Sequence, residues 1–455
     1  MTSAKSPTCG DKGATHGNKG PSGHSASQIA KCPAKFDVWA GHQACTLAAL
    51  SDLPGTMQAD VRGIFDVSGR ISMAYVTKGK EEYERLKGSK SGMLRFLKQA
   101  YEQNRSLFSD TAPVDKLLFD DLVCVLAASG RLEKMQKSSQ KWTEADYAGQ
   151  VYNLIRSPPV RKSHLSLQLP ISLPQPPIPA SSAEHKKIMA PRNVIPDASV
   201  FVSSAGLATL SGKMDSAFNR LKNAAPRGKF RHQATLASTL PDREVFEFAS
   251  SVWEDKKPDQ THVDNAWRQN RMATAAAARQ YHAFQVDAPV IGLVWAEGKV
   301  RAHIDWAGEE NGHVSVYSAP YPAQESSELN RESGVSGVST VISAVSAVSA
   351  APDFQIWDLS QPAAAIAVHL LVRNIDVWTK DTFCKRVVAG VEAVARRAQE
   401  DKQFKLAVWK RGEVATKSPK SENSRVKKES IEGDSLNLKP AAPATQRRSG
   451  LRPRK

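Results

Sequence analysis

Long apolar runs are missing from this chain. The longest, Ala363 to Val372, is broken by His369 and is too short to span a bilayer. The first thirty residues are Ser-, Gly- and Lys-rich and lack the apolar stretch of a secretory signal. The expectation is a chain that is neither membrane-spanning nor secreted. Cysteine is sparse and odd in number: Cys9, Cys32, Cys45, Cys124 and Cys384, with no CxxC spacing. That excludes a disulfide scaffold and fits a reducing compartment. Cys9, His16, His24 and Cys32 stand too far apart for a usual zinc finger. Several catalytic signatures are absent too: GxGxxG, HRD with DFG, HExxH and GxSxG. Kinase, zinc-protease and α/β-hydrolase readings fall with them. Gly206 to Lys213 imitates a phosphate loop, but has one residue too many between its glycines and Met214 where Ser or Thr would bind magnesium.

What the chain has in excess is positive charge. Over 455 residues the formal net charge is +16, which favours a polyanionic partner, nucleic acid before an anionic membrane surface. The length suggests two to three folded units, or one large unit with linkers. A hydrophobic content of 41% supports a core but is thin for a wholly folded chain, so disordered segments are expected.

Residues 1–35 carry almost no apolar residues and read as disordered. Residues 36–140 read as a helical N-terminal region, with Met93, Phe96, Leu97, Ala100 and Tyr101 at three- and four-residue steps. A helix capped by Thr143 runs to the Pro158-Pro159 pair and opens an α/β domain over 141–399. A Pro-rich connection covers 157–180, with a short strand from Leu165 to Leu169, and reads as a stiff spacer rather than a PxxP ligand. Strands are expected from Asp197 to Ser203, Val245 to Lys256, Val290 to Ala296, Lys299 to Trp306 and His313 to Ser318, the last three as a meander. Thr261 is placed to cap a long helix reaching about Phe284, and two late helices follow, one opening at Pro362 and one covering Thr382 to Gln399. Residues 325–352 hold a Val-Ser-Gly/Ala triplet repeat and read as a low-complexity insert. The tail, 410–455, is charged and structureless. From Lys417 it has eleven Lys/Arg against four Asp/Glu, with Arg447, Arg448, Arg452, Arg454 and Lys455 closing it. Such clusters serve nuclear import or neutralise phosphates, so a nuclear or nucleocytoplasmic protein is expected.

One constellation carries chemistry. Glu254-Asp255-Lys256 ends an alternating strand, which sends Glu254 and Lys256 to the same face. An earlier strand opens at Pro196-Asp197. If the two pair antiparallel, Asp197 meets Glu254. Two carboxylates there can hold Mg²⁺ through hard oxygen ligands, and Lys256 can orient or deprotonate an attacking water. Asp242, which also follows a proline, is a rival for the first acid. It ranks lower because no Gly, Pro or Asn turns the chain between it and Glu254.

At these residues the chain resembles the PD-(D/E)xK nuclease superfamily, in motif and in order. The superfamily's core runs helix, three strands, helix, strand, and the elements from Thr143 to the strand opening at Val290 follow suit. The resemblance implies a mixed central sheet of restriction-endonuclease-like type within an α/β (α+β) fold, a Mg²⁺-dependent nuclease, and an acid from the first helix, which Glu144 matches. The chain also resembles a fungal family without assigned activity, through Trp142 to Asn153, Phe246 to Pro258, Arg268 to Thr274 and Val300 to Trp306.

Arg268, Arg271 and Arg279 are candidates for a phosphate-facing stripe on the long helix. His303 and Asp305 share a strand face and read as a surface or interface pair. Trp295, Trp306, Trp357 and Trp378 read as core and rim packing. Three functions follow in order: a Mg²⁺-dependent nuclease-like domain, a nucleic-acid or chromatin binder without turnover, and a scaffold using the helical N-terminal region for protein partners.

Overall fold

The structure, a computed structural model, describes residues 23–224, 230–256, 260–310, 312–322, 354–401 and 403–411. The low-complexity insert and the tail beyond Arg411 lie outside the described residues, Arg447, Arg448, Arg452, Arg454 and Lys455 included. The tail read as structureless begins with Lys410, which is buried and donates to the Ala237 carbonyl (2.6 Å).

The fold is mixed α/β. Its centre is an eight-stranded mixed sheet. In chain order the strands are β1 (Cys45–Leu47), β2 (His164–Leu167), β3 (Ala198–Phe201), β4 (Ala249–Lys256), β5 (Val290–Ala296), β6 (Lys299–Glu310), β7 (His313–Pro320) and β8 (Trp357–Asp358). Across the sheet they lie β1-β7-β6-β5-β4-β3-β2, with β8 pairing the start of β6. β2, β3 and β4 pair antiparallel, β4 and β5 parallel, and β5, β6 and β7 form the expected antiparallel meander. The β5–β6 turn is Glu297-Gly298, both with positive φ (59° and 71°), the type I′ signature that matches strand twist.

The helical N-terminal region is part of the same compact unit as the sheet, which continues to Gly412. It supplies β1, which pairs β7 in parallel. It also supplies α3 (Gly55–Phe65), α4 (Glu81–Ser89), α5 (Ser91–Gln103) and α6 (Lys116–Lys137), and before it come α1 (Ala26–Lys31) and α2 (Pro33–His42), which runs into it. The stretch read as disordered therefore holds α1 and the start of α2. Ser25 and Gln28 form a capping box there, and Ile29 is fully buried. A composition poor in apolar residues hid it, because one well-placed isoleucine and two alanines suffice to dock a six-residue helix.

Next comes α7 (Glu144–Tyr147), which passes through a π-helical turn (Ala148–Tyr152) into α8 (Asn153–Arg156). Short helices α9 (Ala183–Ile188), α10 (Ala217–Ala224) and α11 (Phe230–Ala234) lie before β4. The crossover from β4 to β5 is α12 (Gln260–Ala283), packed on β4, β5 and β6. α13 (Pro362–Trp378), with Pro362 in its first turn, packs on α3, α5, α6 and α8. A π-helical turn at Thr379–Phe383 carries it into α14 (Cys384–Glu400). Among the described residues no helix is long and apolar enough to cross a membrane.

Expected and observed strands agree best where both sheet faces are covered. β5 is buried at every residue and has the expected bounds. β4 begins only at Ala249, because Phe246 and Phe248 leave the ladder and join an aromatic cluster with Phe218, Phe230 and Phe284. The long helix starts at Gln260, so Thr261 lies within its first turn rather than before it. Trp253 and Trp295 are fully buried, Trp306 and Trp378 are buried and Trp357 half-buried, in line with core and rim packing.

Candidate functional site

Three elements meet at one end of the sheet. The first is α7. Thr143 Oγ1 accepts from the Asp146 N–H (3.2 Å) and Asp146 Oδ2 accepts from the Thr143 N–H (2.8 Å), a reciprocal cap that fixes where the helix starts. Glu144 is its first residue. The second is the start of β3, preceded by Pro196-Asp197. The third is the end of β4, Glu254-Asp255-Lys256.

The pairing decides what meets what. Ala198 is registered opposite Trp253, so Asp197 comes opposite Glu254. The Asp255 N–H donates to Asp197 Oδ2 at 2.7 Å. Lys256 Nζ donates to Glu254 Oε1 at 2.6 Å and to the Asp255 carbonyl at 2.7 Å, and stands 3.8 Å from Glu144 Oε2. The structure thus gathers Glu144, Asp197, Glu254 and Lys256. Asp242 is not among them. It is exposed in the irregular connection before β4, and that connection pairs with no strand beside Glu254.

Burial sets the electrostatics. Glu254 is 1% exposed, and its Oε2 has no hydrogen-bond partner. Burial pushes its carboxyl well above the usual range, against the pull of the Lys256 ammonium. Burial, and then the Asp255 carboxylate, raise Asp197 from 3.8 to about 6; the Asp255 N–H and Lys256 oppose them. For Lys256, burial works downward, but Glu254, Glu144 and Asp197 outweigh it and the net shift is upward. These carboxylates favour the ammonium form of Lys256, placed to orient a water or steady developing negative charge.

Behind the site lies a pair that sequence reasoning missed. Asp255 alternates away from Glu254 and meets Arg156, at the end of α8, through two hydrogen bonds of 2.5 and 2.8 Å. Both side chains are 2% exposed. The guanidinium sits 5.6 and 5.4 Å from the ring centroids of Trp253 and Trp295. A clue was available: an aspartate inside a strand beside a buried tryptophan needs a cationic partner, though not a particular one.

Other expectations are corrected. Arg271 is buried against Phe36 and Trp267, with its guanidinium 5.4 and 5.1 Å from their rings. Arg279 is buried and donates to the Gln43 carbonyl, and half-buried Arg268 donates to the Ala30 carbonyl (2.7 Å) and Asn265. The N-terminal segment covers this helix face, so it is no free phosphate stripe. His303 and Asp305 are not at the surface either. His303 is fully buried between Asp305 Oδ1 and Asn270 Oδ1, 2.9 Å from each, and Thr274 Oγ1 donates to Asp305. That closed polar network ties α12 to β6.

Among the described residues no group of three or more His, Cys, Asp or Glu side chains forms a ready metal cage. Asp197 and Glu254 supply carboxylate oxygens from adjacent strands, and Glu254 Oε2 is buried without a donor. Such a donor set suits Mg²⁺, which retains several waters and commonly takes only one or two protein carboxylates.

The chain matches no family model, no curated protein and no solved structure. The site's meaning has to come from its own geometry.

Proposed function

We propose that this chain is a Mg²⁺-dependent, nuclease-like phosphodiesterase that acts on nucleic acid. The observation that carries the reading is the pairing of Asp197 with Glu254 at one sheet end, with Glu254 Oε2 buried and unpartnered. A buried carboxylate oxygen without a donor is costly, and a cation would remove that cost. Counting only the central-sheet strands, with α9, α10 and α11 as insertions, the order from α7 to β5 is helix, three strands, helix, strand, which supports the PD-(D/E)xK reading.

Asp197 and Glu254 would hold the metal, which when bound supplies Lewis-acid polarisation of a phosphoryl oxygen and a more acidic water. Lys256 orients the water and offsets charge growing on the phosphorane oxygens. Glu144, 3.8 Å from the Lys256 ammonium, helps to hold it at the site. The basic tail, with Arg447, Arg448, Arg452, Arg454 and Lys455, would concentrate the chain on polyanions and suits nuclear residence.

A second reading has one observation in its favour. Lys256 already engages Glu254 Oε1 at 2.6 Å, as it would in a domain that binds nucleic acid without turnover. Cleavage assays on single- and double-stranded DNA and RNA with Mg²⁺ or Mn²⁺ separate the two. Products from the wild type that vanish in Glu254→Gln and Asp197→Asn support the nuclease. A folded wild type that binds but yields no products on these substrates supports the second reading.

A further inference from the structure

We infer that Arg156 and Asp255 are a positioning pair: they set the orientation of the acid site by clamping the helix that carries Glu144 to the strand end that carries Glu254 and Lys256. The inference deepens the functional reading above and rests on it.

Connectivity gives the pair this role. Glu144 and Arg156 are the two ends of one helical run, α7 through the π-helical turn to α8. Glu144 reaches Lys256 Nζ at 3.8 Å, and Arg156 grips Asp255 at 2.5 and 2.8 Å. Asp255 is the residue between Glu254 and Lys256, so holding its side chain on one face fixes how its two neighbours project on the other. Its backbone N–H reaches Asp197 Oδ2 at 2.7 Å, so the same residue also sets the remaining acid. One clamp thus adjoins Glu254 and Lys256, bonds Asp197 through the Asp255 N–H, and holds Glu144 through the helical run that ends at Arg156.

The clamp is itself held rigid. Arg156 Nε donates to Asn153 Oδ1 at 3.0 Å, and the guanidinium rests against the neighbouring rings of Trp253 and Trp295. One turn earlier, Tyr152 packs on Trp295 with centroids 5.5 Å apart, and its hydroxyl accepts from the Gly298 N–H at 3.2 Å, a second fastening to the β5–β6 turn.

Stability does not by itself call for an ion pair here. Beside Trp253 and Trp295 an apolar pair of similar volume is expected to pack in its place, since buried ion pairs are often replaceable without loss. What an apolar pair lacks is direction. The two-pronged guanidinium–carboxylate contact fixes angle as well as distance.

Two variants of the full chain test this: Arg156→Lys, which keeps the charge but loses the fork, and Arg156→Met combined with Asp255→Leu, which keeps the packing. Each is read by thermal midpoint, by hydrogen exchange across residues 144–152 and by Mn²⁺ affinity in calorimetry. Positioning predicts that at least one variant retains a near-wild-type midpoint. In that variant exchange across 144–152 is faster by about tenfold and Mn²⁺ binding weaker by about tenfold, as when an outer partner of a ligand is lost. A variant with wild-type midpoint, exchange and Mn²⁺ affinity overturns the inference. So does loss of the midpoint in both variants, which would make the pair a folding requirement only. A wild type that binds no Mn²⁺ defeats the metal reading instead, and exchange across 144–152 then decides the positioning role alone.

Discussion

The N–H of Asp255 donates to Oδ2 of Asp197 across 2.7 Å, although 58 residues separate them in the chain. This bond marks the register in which β3 and β4 bring Asp197 opposite Glu254. It also leaves Asp197 beside two further carboxylates in a poorly hydrated corner, with consequences that can be measured.

Asp197→Asn is expected to stabilise the metal-free protein at neutral pH. The folded-state value of Asp197 is raised, from 3.8 to about 6. Its favourable contribution is therefore present below about pH 4 and lost as pH rises through 6. Above that, ionised Asp197 costs about 1–3 kcal/mol, since each tenfold change in proton affinity is worth ~1.4 kcal/mol and partial solvation softens the effect. The asparagine still accepts from the Asp255 N–H. Urea unfolding in EDTA at pH 4, 6 and 8 checks this: a gain at pH 8 that shrinks to nothing at pH 4 is the expected pattern.

Gly292→Ala, on β5 opposite Val252, is expected to destabilise the fold. A Cβ at Gly292 would meet His303 Nε2 at 2.1 Å and Asn270 Oδ1 at 2.6 Å. Those groups are locked to each other and to Asp305, so neither can yield without leaving a buried polar atom unpaired. A loss of about 2–4 kcal/mol follows from overpacking plus one broken hydrogen bond. Equal stability in wild type and variant by denaturant titration would show that the network yields freely.

Arg271→Ala is expected to weaken the fold and leave nucleic-acid binding alone. Its guanidinium fills the space between Phe36 and Trp267, and truncation empties it, at about 1–3 kcal/mol. The slope of log affinity against log salt should stay at its wild-type value, because the side chain reaches no phosphate. A shallower slope in the variant would place it at the interface after all.

Removing residues 413–455 should have the opposite profile. The compact unit ends at Gly412, so its thermal midpoint should hold. The salt slope should fall by about 0.9 for each phosphate the tail neutralises on duplex DNA. An unchanged slope would move nucleic-acid binding off the tail.

Local features could be read directly from the sequence. Thr143 and Asp146 announce the start of α7 because a capping box needs only four residues. β5 and the Glu297-Gly298 turn follow from an apolar run and a glycine at a φ > 0 position. The spacing of Glu254 and Lys256 puts them on one face of any strand. The tail's charge is a matter of composition.

What only the tertiary structure decided is everything that depends on which distant segment lies alongside. The missing turn residues before Glu254 already favoured Asp197 over Asp242, but the pairing itself is a register between strands far apart in the chain, which no short window of sequence encodes. Arg271 and His303 carry polar side chains that suggest a surface, yet α1, α2 and the sheet cover them, because each finds a partner that offsets desolvation. Arg156 gives no sign of its role until the π-helical turn and the strand end bring it onto Asp255. The amino-acid order thus specified the elements and the chemical groups available at their ends. Long-range pairing and burial decided which of those groups face one another, since both depend on contacts that no short window of sequence contains.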